Sequence, residues 1–270
     1  MIKLMELLKE AAGNPKALIL AGAPGAGKGY ILKDLNLEGL KTFNIDNTFI
    51  NMLKKANVTL DLKNATPEER SEAAKAMAAA TKDLKTNILP KAIADRESFV
   101  LDGTAASLKN TLLLKDELEA AGYEVFMLYV YTDLERSLRQ NQERFEKTGG
   151  EDRSLAPAIV LSTWSSVTKN FEPYQQAFGN NFVSVANTGE AMKDLDQIAA
   201  KYLAPFKPKD TKPKTPAQEK SSQKRKEKVS QEIQALLSSD HLQNVIDSSV
   251  ERKEASSIIN NFLSEWIRNP

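Results

Sequence analysis

Residues 17–30 read ALILAGAPGAGKGY, an apolar run that breaks into glycines and a lysine and then resumes as the helical pattern YILKDL. No other stretch narrows the fold as far. Gly22-Ala23-Pro24-Gly25-Ala26-Gly27-Lys28 fits G-x-x-x-x-G-K, and its place between a strand and a helix gives that string its meaning. The glycines let successive backbone N–H groups curl around an anion, the following helix adds the positive end of its dipole, and Lys28 can reach terminal phosphates. Gly22 to Tyr30 is therefore the expected phosphate-binding segment. In most loops of this kind a Ser or Thr hydroxyl after the lysine binds Mg²⁺; here Gly29 and then Tyr30 follow, so a metal must draw on nucleotide phosphates, waters and carboxylates from other strands.

Four more β-rich runs come after the first: KTFNID at 41–46, SFVLDG at 98–103, YEVFMLYVYT at 123–132 and NFVSVAN at 181–187. Most are apolar on both faces, as strands covered on both sides by helices must be. Helical stretches lie between them. Thr66-Pro67-Glu68-Glu69 offers an N-cap, a proline at the first helical position and a capping-box glutamate, and Thr132-Asp133-Leu134-Glu135 repeats the pattern. Alternating β and α predicts an α/β chain of three layers, with a mainly parallel five-stranded sheet of the P-loop NTPase type.

In such a sheet Asp46 and Asp102 end the second and third strands and emerge beside the loop, at the edge where open α/β sheets bind ligands. A carboxylate there can hold a Mg²⁺ water, accept the proton of an attacking hydroxyl, or simply cap the next helix. Gly103-Thr104 after Asp102 leaves room for a ligand. The segment TDLERSLRQNQERFEKTGGEDRSLAP puts Arg136, Arg139, Arg144 and Arg153 on a helix and the Gly149-Gly150 loop after it. Arg144 and Arg153 flank that loop and are the lid candidates, able to bring positive charge to a migrating phosphoryl group; Arg136 and Arg139 read equally well as a solvated helix face.

GAPGAGKG at 22–29 resembles the loop of the adenylate kinases and related nucleoside monophosphate kinases, where Gly also follows the lysine and a Thr comes next. From about Asn14 to Leu203 the chain is similar to the zeta-toxin-like branch of P-loop kinases, many uncharacterised members of which occur in tailed phages. The resemblance implies Asp46 as the base on a substrate hydroxyl, Asp102 and Thr104 as substrate or metal-shell contacts, and Arg144 and Arg153 as lid residues on phosphates. Gly29-Tyr30 after the lysine and Asp102 depart from it, the latter standing where zeta toxins usually carry Glu.

The chain has no Cys and one His, His241, so disulfides, thiolate catalysis and zinc sites are excluded or nearly so. Trp164, Phe171, Tyr174 and Phe178 read as core before they read as a base-stacking platform. From Pro205 to Ser230 nine Lys or Arg stand against three Asp or Glu, with four prolines and almost nothing apolar. That composition predicts a solvated linker, and only secondarily a nucleic-acid tether. The expected division is a kinase-like domain at 1–204, a linker at 205–228 and a helical segment at 229–270, whose apolar faces should dock on the core, on another copy or on a partner. No apolar run approaches the ~20 residues that span a bilayer, which predicts a cytoplasmic protein, in the host cytoplasm if phage-encoded.

The expected function is an ATP- and Mg²⁺-dependent kinase acting on a small hydroxyl or phosphate acceptor such as a nucleotide or nucleotide-sugar. A polynucleotide 5′-kinase and a nucleotide-regulated binding module, with the C-terminal helices on a partner, are the alternatives.

Overall fold

The computed structural model describes residues 14–34, 41–188, 216–255 and 257–259. Five strands form one sheet in the order β2-β3-β1-β4-β5, parallel throughout. They are β1 (Lys16–Ala21), β2 (Lys41–Asn44), β3 (Phe99–Asp102), β4 (Glu124–Thr132) and β5 (Phe182–Asn187). The phosphate loop leaves β1, the middle strand, and runs into α1 (Lys28–Asp34).

Alternation along the strands divides the core between the two faces of the sheet. Ala17, Ile19 and Ala21 of β1, with Met127 and Tyr129 of β4, face one way; Leu18 and Leu20, with Phe126 and Leu128, face the other. The first face is covered by α5 (Leu108–Ala120), α7 (Pro157–Lys169) and α8 (Phe171–Phe178), contributing Leu118, Trp164, Phe171, Tyr174 and Phe178. The aromatic residues are thus core. Trp164 is 1% exposed, and its indole N–H donates to the Thr132 carbonyl at 2.8 Å. A separate small core beside the sheet joins Phe49 and Leu53 of α2 (Ile45–Lys55) to Ala73 and Ala80 of α3 (Pro67–Asp83). The chain then passes through a π-helical turn (Leu84–Ile88) into α4 (Leu89–Ala94).

Of the two expected capping boxes, the one at Thr66 forms in both directions, Thr66 Oγ1 accepting from Glu69 N and Glu69 Oε2 from Thr66 N. The second does not. Asp133 is the N-cap of α6 (Leu134–Lys147) and makes no side-chain cap bond, while Thr132 Oγ1 donates to the Asn187 carbonyl at 3.0 Å and so ties β4 to β5.

The described C-terminal helices pack on the chain's own helices and on the β5 side of the sheet. Residues 205–215 lie outside the described residues, but Pro216–Leu237 is one helix, α9, where composition suggests loose linker as far as 228. Proline at its first position is pre-set for a helix start, which the lysine-rich composition hid. The first half of α9 is solvent-exposed; Ile233, Leu236 and Leu237 are buried against α7. In α10 (His241–Asp247), His241 Nε2 sits 2.8 Å from the Thr168 carbonyl and Val245 is buried on the same face. The chain then crosses the open edge of β5. Val250 N–H donates to the Ser184 carbonyl at 2.8 Å, and Ala255 and Ile259 are buried on the opposite face of the sheet. Phe262, Trp266 and Ile267 lie outside the described residues. Among the described residues no helix is long and apolar enough to cross a membrane.

Candidate phosphate-binding and transfer site

The loop between β1 and α1 is shaped by bonds to its carbonyls. Lys28 Nζ donates to the Gly22 carbonyl at 2.9 Å and to that of Ala23 at 3.2 Å, Ser137 Oγ donates to the Pro24 carbonyl at 2.6 Å, and Asn187 Nδ2 donates to that of Ala26 at 2.9 Å. Within the loop Ala26 N–H donates to the Ala23 carbonyl at 3.1 Å, so side chains and backbone together fix its turn. Gly27 has φ +88°, and a Cβ there would lie 2.7 Å from Asn187 Nδ2, so only glycine allows this close approach.

Asp102 ends β3 as expected. Asp46 does not end β2: the strand stops at Asn44, whose Oδ1 accepts from Asp46 N–H at 2.7 Å as the N-cap of α2, and Asp46 stands in that helix's first turn. Asparagine here chooses helix initiation over two more strand residues. Asn44 and Asp102 are register partners across β2 and β3, and Asn44 Nδ2 donates to Asp102 Oδ2 at 2.6 Å. A single asparagine therefore places both carboxylates at the carboxyl edge of the sheet.

The four arginines take different places. Arg144 pairs with Asp152 across the Gly149-Gly150 turn. Arg153, with its side chain 10% exposed, places Nη2 2.6 Å from Asp46 Oδ1 and its guanidinium over the Phe49 ring. Its Nε is buried with no hydrogen-bond partner. Arg139 lies near Glu143 on the helix surface, Arg136 donates to the Thr188 carbonyl at 3.1 Å, and neither lines the cavity beside the phosphate loop.

Lys28, Asp46, Asp102, Thr104, Arg144 and Arg153 line one cavity of about 420 Å³ with the loop Pro24–Gly29. Thr104 is set by its backbone, its carbonyl accepting from Gly22 N–H at 3.1 Å, while Tyr174 Oη donates to the next carbonyl, that of Ala105, at 2.6 Å. Tyr30 is 59% exposed and does not line this cavity.

Burial strips water from the Lys28 ammonium and pushes its pKa down, against the pull of Asp102 and Asp46. Burial likewise raises Asp102, against Lys28 and the Asn44 hydrogen bond. Each charge is held in a place that disfavours it alone. No group of three or more His, Cys, Asp or Glu able to hold a metal occurs among the described residues. A desolvated Asp102 beside a phosphate cradle still fits a Mg²⁺ whose other ligands come from the nucleotide and water, Asp46 and Glu143 being the other carboxylates that line the cavity.

Sequence reading missed Asn44, Ser137 and Asn187, the side chains that hold loop and carboxylates in place. Asn44 and Asn187 each end a strand at the functional edge, and that position is the one signal that could have marked them.

Residues 4–197 match the family model described as Zeta toxin. No curated protein matches the sequence. Among solved structures, the chain is similar to a protein from Chloroflexus aurantiacus j-10-fl described as a candidate kinase (TM-score 0.42, 12% identity, 70% of this chain and 99% of that one). It is also similar to the AvrRxo1-ORF1:-ORF2 complex with ATP (TM-score 0.45, 17% identity, 93% and 81%). A third likeness is to the PezAT chromosomal toxin-antitoxin system of Streptococcus pneumoniae (TM-score 0.39, 15% identity, 64% and 68%).

Proposed function

Since the chain belongs to the zeta toxin family, we propose that it is an ATP-dependent kinase that moves the γ-phosphoryl group to a small hydroxyl or phosphate acceptor of the nucleotide or nucleotide-sugar class. The observation that carries this reading is the convergence of Lys28, two carboxylates and two lid arginines on one cavity beside the phosphate loop. A loop that only bound nucleotide would need the lysine and the backbone; it would not need Asp46 and Arg153 across the cavity.

In this reading the loop N–H groups and Lys28 hold the β and γ phosphates. Arg144 and Arg153 add charge where it builds up as the γ-phosphoryl group migrates. Asp46 takes the proton as the acceptor O–H bond breaks, an acceptor O–P bond forms and the bond from Pγ to the ADP oxygen breaks. Mg²⁺ bound with the nucleotide would draw charge from the phosphates, and Asp102 would hold it through water, in place of the hydroxyl that Gly29 lacks. The Arg153–Asp46 pair supports an exchange of partners: an incoming phosphate satisfies the guanidinium and its orphaned Nε, and Asp46 is released to the acceptor. Positive charge and base are thus engaged together, when both substrates are in place.

The exposed basic half of α9 favours a second acceptor, a 5′-hydroxyl nucleic-acid end, which added salt would weaken steeply. A protein partner would meet this same outer face of α9, because its apolar face is buried.

The test is γ-labelled ATP with Mg²⁺ against pools of nucleotides, nucleotide-sugars and 5′-hydroxyl oligonucleotides, beside Lys28→Ala and Asp46→Asn. Label transfer lost in both variants establishes the kinase and names its acceptor class. ATP binding lost in Lys28→Ala, with no transfer by the wild type to any pool, turns the reading into a nucleotide-binding module.

A further inference from the structure

The phosphate loop is braced from the far end of the chain. Asn187 Nδ2 donates to the Ala26 carbonyl at 2.9 Å, Arg252 Nη2 donates to Asn187 Oδ1 at 2.8 Å, and the Arg252 guanidinium lies 5.2 Å from the centroid of the Tyr30 ring. The guanidinium therefore touches the Ala26–Tyr30 segment by two routes, one through an amide and one through an aromatic face.

The amide route is directional. Asparagine has one accepting and one donating end, and arginine can only donate. With Arg252 on Oδ1, the NH₂ end must face the Ala26 carbonyl. Turned round, the amide would set oxygen against oxygen and N–H against N–H. The Asn187 backbone is held as well, because its carbonyl accepts from Thr132 Oγ1 at 3.0 Å. Any displacement of Asn187 passes directly into the loop.

The aromatic route gives Tyr30 a purpose. At the place where related kinases carry a hydroxyl, this chain has a large, 59% exposed ring on the first turn of α1, and the tail's guanidinium lies over it. Delivery of Arg252 is firm: Val250 N–H is bonded to the Ser184 carbonyl, Ser184 Oγ donates to that of Ser248 at 3.1 Å, and Ala255 and Ile259 are buried beyond.

We propose that Arg252 is a positioning residue for the nucleotide phosphates, holding the loop in its receiving shape through Asn187 and Tyr30, so that the C-terminal segment completes the nucleotide site. This rests on the reading of residues 22–30 as a nucleotide cradle.

The test is the Kd of the full-length chain for ATP and for ADP, by calorimetry, in wild type, Lys28→Ala, Arg252→Ala, Arg252→Lys, Asn187→Ala and the Arg252→Ala/Asn187→Ala double variant, each with its melting temperature taken without nucleotide. Arg252→Ala is expected to raise both Kd values about tenfold, the scale of one lost charge-assisted hydrogen bond. Arg252→Lys keeps a donor but no planar face, so its Kd should fall between the two. The double variant should lose less than the sum of the two single losses, since the amide route is shared and only the Tyr30 contact remains to be lost, a coupling that a residue merely fastening the tail would not show. Wild-type affinity in Arg252→Ala, with binding lost in Lys28→Ala, overturns the proposal and leaves the cradle standing. Unchanged binding in Lys28→Ala overturns the cradle and the proposal with it. Should Arg252→Ala not fold, Arg252→Lys decides, and wild-type affinity there overturns the proposal.

Discussion

Two glycines two residues apart should respond to the same substitution in opposite directions. Gly27 has φ +88°, and an added Cβ would lie 2.7 Å from Asn187 Nδ2. Placing an L-residue in that backbone region costs about 1–2 kcal/mol. Relieving the overlap means moving Asn187 off the Ala26 carbonyl, and leaving that buried pair unmade costs about 1–3 kcal/mol more. Gly27→Ala should therefore lose about 2–5 kcal/mol, a fall in melting temperature of about 5–15 °C for a chain of this size. Gly29 is in α1 with nothing within 4 Å of the added carbon, so Gly29→Ala should gain about 0.5–1 kcal/mol from reduced unfolded-state entropy and melt a little higher. Differential scanning calorimetry without nucleotide reads both. If Gly27→Ala melts with the wild type, the close approach of loop and Asn187 is wrong. If Gly29→Ala falls as far as Gly27→Ala, glycine is needed along the whole loop for some reason other than this contact.

Trp164→Phe keeps most of the core volume but removes the donor to the Thr132 carbonyl, so it should cost about 1–3 kcal/mol by urea titration; no change would mean that the carbonyl finds another partner. Thr66→Ala breaks one half of the capping box of α3 and should cost about 1 kcal/mol in the same assay, with the effect confined to stability and nucleotide affinity unchanged. Asp102 has its pKa raised above the ordinary 3.8 by burial, so the folded state holds this proton more tightly than the unfolded state. Its contribution to stability is then fully present below the unfolded pKa and is lost as pH rises through the folded one. Asp102→Asn, which cannot ionise, should gain melting temperature relative to wild type as pH rises from acid towards neutrality, and a gap that shrinks over that range would show that Lys28, not burial, dominates this carboxylate.

The strands were legible because burial on both faces leaves uninterrupted apolar runs, and the loop because its chemistry requires contiguous glycines and a lysine. Asp102, Arg144 and Arg153 were legible through position relative to those elements. Asp46 stands one element later than FNID suggests, since nothing in that string shows that Asn44 Oδ1 captures the Asp46 N–H and starts a helix. Thr132 failed as a cap for a complementary reason: its hydroxyl found the Asn187 carbonyl on a neighbouring strand, a partner 55 positions away that local pattern cannot contain. The helix from Pro216 was hidden by its lysines. Asn187 and Arg252 carry no local mark of their contacts. Their importance lies wholly in contacts between distant segments, and such contacts leave no periodicity, spacing or composition to read.

The path of the tail across the β5 edge also sets an order of events during synthesis. A ribosome releases Gly22–Tyr30 before β2, β3, β4 and β5, so the sheet can close around the loop before α9 and α10 are made. Arg252 arrives only after all five strands, and its contacts with Asn187 and Tyr30 join the two ends of the described chain. Such widely separated pairings come late because their loops are the most costly to close. A nascent chain thus carries the whole phosphate-binding sequence well before it carries the arginine that steadies it, and full nucleotide affinity would wait for Arg252.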